Sequence, residues 1–122
     1  KKIQASPERL FELRTYITNE GKLNHLDARF RDHTIGLFEK HGIENIAYFH
    51  AMPDQEGATN TLIYLVAHES EESRGAAFKS FSQDEDWKSA KAGSEERAGG
   101  SLTIKGGVKG EFLLPTDFSS LK

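Results

Sequence analysis

Glutamate, arginine and tyrosine recur at every second position in RLFELRTYI, residues 9–17, as Glu12, Arg14 and Tyr16. If this stretch is extended, the three side chains share one face, while Phe11, Leu13, Thr15 and Ile17 share the other. A guanidinium beside a carboxylate and a phenol is the equipment of an anion site: arginine pairs with carboxylate or phosphate through two parallel bonds. His33 is the natural proton carrier for such a site, since histidine changes charge near neutral pH. Its spacing from Phe30 and Leu37 predicts that it points inward from a helix. Tyr48 and Tyr64 fall on strand-like segments and are expected to shape the walls. Trp87 is expected either as a lid over the pocket or as a core anchor for a short helix.

The same residues admit a plain structural reading. Glu12 and Arg14 can satisfy each other inside a buried network, with no ligand involved. A small ligand pocket and a catalytic pocket are the two functional alternatives, and the residue types alone leave all three open.

Other chemistry is poorly supplied. There is no cysteine among the 122 residues, which removes disulfides, thiol nucleophiles and thiolate metal sites. His25, His33 and His41 are eight apart and drift around a helix instead of stacking, and no H-E-x-x-H pair exists, so no metal and no cofactor is expected. The formal net charge is −3, with no polybasic block, which argues against nucleic acid as a partner. Nothing approaches about 18 consecutive apolar residues, the length of a transmembrane segment. Glycines 106, 107 and 110 precede a strand, not a helix, and so do not form a phosphate cradle. The chain starts at Lys1 without a methionine, which fits either a removed leader or a trimmed chain and leaves the compartment undetermined, exported or cytoplasmic.

These side chains need a scaffold, and the periodicities provide one. The alternation over residues 9–17 predicts a strand. Thr18-Asn19-Glu20-Gly21 turns the chain, with Asn19 as the expected helix cap. Leu23, Leu26, Phe30, His33 and Leu37 follow a 3-4-3-4 spacing, which predicts one helix over 22–41 ended by Gly42. Residues 43–52 and 61–69 read as an antiparallel hairpin across a polar turn. Ser70 caps a second helix bearing Phe78 and Phe81, and Ser82-Gln83-Asp84-Glu85 has the form of a capping box for a short third one carrying Trp87. The glycine-rich stretch through Gly107 is expected as a mobile loop, and 108–114 as the last strand, stopped by Pro115.

The order is β-α-β-β-α-β, an α+β, ferredoxin-like split with a four-stranded antiparallel sheet and helices on one face. One domain over 9–121 with an N-terminal extension at 1–8 is expected. The uncovered sheet face is apolar enough to demand a partner, and a second copy is the commonest solution, so a homodimer is expected.

Several segments together resemble the NIPSNAP family of the dimeric α+β barrel superfamily. They are FELRTY (11–16), Gly21-Lys22-Leu23, ARFRDHTIGLFEKHGI (28–43), YLVAHES (64–70), DEDW (84–87) and FLLPTDFS (112–119). The likeness runs from about Leu10 to Leu121, and departs from the family pattern in the glycine-rich stretch 98–107. It implies a fold and a dimer more than a reaction. Superfamily relatives include haem-degrading and quinone-forming monooxygenases and small-molecule isomerases, which hold ligands between sheet and helices. The leading reading, from the pocket residues, is binding of a small, anionic organic ligand between the sheet and the first helix; the resemblance adds an oxygenase or isomerase as an alternative, and a non-catalytic scaffold for protein interaction is the third.

Overall fold

The alternating residues at the start form β1 (Leu10–Thr18) in the computed structural model, which describes residues 9–122. The expected extension at 1–8 lies outside the described residues. Then follow α1 (Leu23–Arg29), a π-helical turn (Phe30–Thr34), α2 (Ile35–Lys40), β2 (Glu44–Phe49), β3 (Thr61–His68), α3 (Glu71–Gln83), α4 (Glu85–Ala98) and β4 (Thr103–Leu113). The four strands make one antiparallel sheet in the order β2-β3-β1-β4. This is the expected ferredoxin-like topology, with α4 as an added helix before the last strand.

Register sorts the side chains into two faces. Glu12 stands opposite Val66 and Phe112, Arg14 opposite Tyr64 and Gly110, and Tyr16 opposite Leu62 and Val108. Those residues face the helices, where Leu26, Phe38, Ile43, Tyr64 and Val66 are fully buried in the core. Phe11, Leu13, Thr15 and Ile17 alternate with them onto the open face, beside Ile63, Leu65 and Ala67 of β3. The division of β1 is the one its alternation indicates.

The helical stripe is corrected by the π-turn. The Ile35 N–H bonds to the Phe30 carbonyl, five residues back instead of four. One extra residue in a turn rotates everything after it by about 100°. The buried positions therefore run Leu23, Leu26, Phe30, Thr34 and Phe38, while His33 is exposed. His33 lines an outer cleft with Asp32, Gly36 and Asp86 instead of meeting the sheet.

Two caps also differ. Asn19 is not the N-cap; Lys22 holds that position without a side-chain bond, and Asn19 Nδ2 instead donates to the carbonyls of Ser101 (2.9 Å) and Thr103 (3.3 Å), tying the turn to the start of β4. Ser82 is still inside α3, where its hydroxyl donates to the Lys79 carbonyl, so Asp84 caps α4 by accepting the Asp86 N–H at 2.7 Å. Ser70 caps α3 as expected, accepting the Ser73 N–H.

The glycine-rich stretch is a turn only over 99–102; from Thr103 on it is strand, not loop. β4 begins at Thr103 and passes a bulge opposite Tyr16 and Thr18, where Gly106 takes φ +73°. A Cβ on Gly107 would lie 2.7 Å from the Ile17 carbonyl oxygen, so only glycine permits this approach of the backbones.

Candidate functional site

β1 carries Glu12, Arg14 and Tyr16 beneath the helices, and β3 sets Tyr64 directly beside Arg14. Arg14 Nη1 donates to Glu12 Oε2 at 2.7 Å, Nε to the Tyr64 hydroxyl at 2.7 Å, and Nη2 to the Tyr16 hydroxyl at 3.0 Å. The Tyr64 hydroxyl donates in turn to that of Tyr16 at 3.0 Å. Four of the expected site residues thus form one connected network. Tyr48 joins through its ring, which stacks on Tyr64 with centroids 4.9 Å apart.

Two expected members are elsewhere. His33 faces solvent, for the reason given above. Trp87 packs on the Phe81 ring at 4.6 Å and lies beneath Arg29 at 5.1 Å, as an anchor of α4. The charged centre itself sits against α3, not the first helix.

Arg74, which the sequence did not single out, and His68, which alternation sets on the Tyr64 side of its strand, complete it. Arg74 from the first turns of α3 grips Glu12 with two bonds, Nε to Oε1 at 3.1 Å and Nη2 to Oε2 at 3.0 Å. His68 Nε2 lies 3.1 Å from Glu12 Oε1. Its Nδ1 is buried without a partner. Arg74 had a visible signal: it precedes Phe78 by four residues on a helix, and its guanidinium does cover that ring at 4.7 Å. For His68 the signal was its alternation with Tyr64 along β3, which gave the face but not the register.

Electrostatics sets the character of the place. Glu12 is almost wholly buried. Burial alone would raise its carboxyl, but bonds from His68 and Arg74 and the charge of Arg14 outweigh this and lower it to about 2. Glu12 is therefore ionised throughout the neutral range. Burial works against the Arg14 charge, yet Tyr16, Tyr64 and Glu12 hold its pKa above the ordinary arginine value. Burial and the neighbouring Tyr16 push Tyr64 well up, so its hydroxyl stays a donor.

One carboxylate thus faces two guanidiniums, and a positive charge is left over. A guanidinium has five N–H donors, and the bonds above use only part of each set. Arg29 adds a third cation to this side of the sheet. It is buried, donates from Nη1 to the Ser94 hydroxyl at 3.2 Å, and has no carboxylate within 4.0 Å among the described residues. Burial lowers its pKa, partly offset by Tyr16, Glu95 and Tyr64.

Access lies at β4. Phe112, half exposed, stands 5.3 Å from the Arg74 guanidinium, and Gly110 opposite Arg14 has no side chain to cover the cluster. A Cβ at Gly110 would come within 3.0 Å of Glu12 Oε2. Among the described residues no group of three or more His, Cys, Asp or Glu could hold a metal ion, and no helix is long and apolar enough to cross a membrane.

No curated protein matches the chain. Solved structures do. A NIPSNAP family protein with unknown function from Agrobacterium tumefaciens is 19% identical, with 97% of each chain covered and a TM-score of 0.74. A NIPSNAP-like domain protein from Burkholderia xenovorans is 18% identical over 93% of this chain and 90% of that one, TM-score 0.74. More distant in fold is a cofactor-independent oxygenase from Streptomyces nogalater, 13% identical over 93% and 97%, TM-score 0.51. Since the NIPSNAP family model matches residues 11–120, from β1 to the segment beyond β4, the chain belongs to the NIPSNAP family.

Proposed function

We propose that the Glu12-centred cluster binds a small organic anion, a carboxylate or phosphate, which enters between α3 and β4. The carrying observation is the charge imbalance: Arg14 and Arg74 share the single carboxylate of Glu12. An anion settling on the free donors of Arg74 would neutralise the surplus, and the exposed face of Phe112 would take its apolar part. A thermal-shift series with acetate, oxalate and inorganic phosphate, against neutral acetamide, tests this. Melting should rise with the anions and not with acetamide, and the rise should vanish in Arg74→Gln. Equal behaviour of acetate and acetamide would sink the reading.

A second reading, turnover of the bound anion by an oxygenase or isomerase, is favoured by the unpartnered Nδ1 of His68. His68 takes the proton-carrying role that the spacing had given to His33. Under this reading His68→Gln keeps anion binding and loses turnover; loss of both together would speak against it.

The assembly we infer is a homodimer through the open sheet face. Leu13, Ile17, Ile63 and Leu65 lie there only half-buried, and Phe49 and Leu113 are exposed. Apolar sheet faces of this kind are normally covered. Light scattering during gel filtration should give twice the chain mass, and a monomer would remove this part of the proposal.

A further inference from the structure

The ring of Tyr64, whose hydroxyl meets Arg14, also packs against Phe30 and Tyr48, and those two rings line a separate cavity of about 280 Å³. Its apolar walls are Phe30, Ile35, Tyr48 and Leu62, from the helical layer on one side and the β2–β3 edge on the other. The rim is polar. His50 Nε2 lies 3.0 Å from Asp27 Oδ1, and Arg31 stands beside them.

Two irregularities build this cavity. In the π-turn Ile35 follows Phe30 at the five-residue step of the Ile35 N–H to Phe30 carbonyl bond, so both side chains reach one wall. Asn45 Nδ2 donates to the Ile35 carbonyl at 3.1 Å, and the Tyr48 hydroxyl donates to Asn45 Oδ1. Asn45 and Tyr48 can cooperate in this way because the register of β2 shifts between Asn45 and Ala47, which returns Tyr48 to the same face. A π-turn and a bulge each disturb a regular ladder, and both recur beside binding sites.

We propose that this cavity is a second binding site, for a single-ring aromatic acid that carries a hydroxyl group. The volume lies just under the about 300 Å³ at which ligand sites usually begin, and suits one ring laid against Phe30 and Tyr48, whose own rings touch edge to face with centroids 5.6 Å apart. The Asp27 carboxylate accepts the Nε2 proton of His50 and leaves Nδ1 as an acceptor for the ligand hydroxyl. Arg31 pairs with the acid group. The site stands independently of the Glu12 cluster, since none of its rim groups belongs to that network.

4-Hydroxybenzoate titrated into the full chain, with the ring protons of His50 and Tyr48 followed by NMR and those of Tyr48 alone in His50→Ala, tests the assignment. A saturable shift is expected. Arg31→Gln and His50→Ala, both on exposed side chains, should each weaken the binding about tenfold, while Arg74→Gln leaves it unchanged. The proposal is overturned by an unmoved His50 at millimolar ligand, by wild-type affinity in both rim variants, or by loss of binding in Arg74→Gln.

Discussion

Glu12 Oε2 receives Arg14 Nη1 at 2.7 Å and Arg74 Nη2 at 3.0 Å, so a residue two positions along the same strand and another 62 positions away meet on one oxygen. The first contact is local, a same-face pair on β1. The second requires β1, β3 and α3 to be stacked correctly. Removing the shared carboxylate leaves two guanidiniums facing each other with no counter-charge, and breaking a buried pair from one side is costly. Glu12→Gln, which keeps the shape and loses the charge, is expected to cost about 3 kcal/mol in urea unfolding.

The same carboxyl gives a pH signature. Its folded value of about 2 lies below the ordinary 4.5, so its ionised form favours the folded state above that ordinary value. That stabilisation, on the order of 3 kcal/mol, is lost as pH falls from 4.5 towards 2. Urea midpoints measured at about pH 6 and about pH 3 should therefore diverge in the wild type, and much less in Glu12→Gln.

Tyr64→Phe isolates the hydroxyl that bridges Arg14 and Tyr16. The ring keeps its stacking on Tyr48, so the change removes hydrogen bonds without opening a cavity. With a charged partner involved, the expected loss is about 2 kcal/mol, read by the same denaturation.

At the bulge of β4, neighbouring glycines should respond differently. Gly107→Ala places a Cβ against the Ile17 carbonyl and the Ile104 side chain, at 2.7 and 2.6 Å, and should cost about 2 kcal/mol or more. Gly106→Ala meets no atom within 4 Å and strains only φ +73°, for about 1 kcal/mol. Equal losses would mean that the close approach at Gly107 is not what holds the bulge.

Leu13 and Leu65 are cross-strand neighbours on the open face. Leu13→Glu should yield a monomer by light scattering while the circular dichroism of the fold persists, because the side chain projects away from the helix-covered core. A variant that stays dimeric would place the contact on another surface.

The fold was legible because its two periods are clean. Alternation in residues 9–17 gave the strand and put Glu12, Arg14 and Tyr16 on one face, though not which face meets the helices, and the Ser70 cap announced α3. His33 turns outward against its period because a 3.6-residue repeat assumes an unbroken helix, and nothing in Phe30-Arg31-Asp32-His33-Thr34 marks the extra residue of a π-turn. Ser82 has the capping-box spacing to Glu85, yet α3 runs on past it to Gln83. Arg74 and His68 reach Glu12 through strand register and helix docking, which no single segment encodes. The glycine-rich stretch looked mobile by composition, whereas the close approach at Gly107 uses its glycines inside a strand.

Arg14 and Arg74 are proposed to hold surplus charge for a small anion. The most direct measurement follows the guanidinium Nε–H signals of both residues by NMR during a titration with inorganic phosphate. Saturable shifts of the Arg74 signal, with Arg14 responding alongside and the Arg9 signal unmoved, are the predicted result. Signals of Arg14 and Arg74 that stay fixed up to tens of millimolar phosphate (on the order of the weakest useful affinity) would leave the cluster as a purely structural ion network.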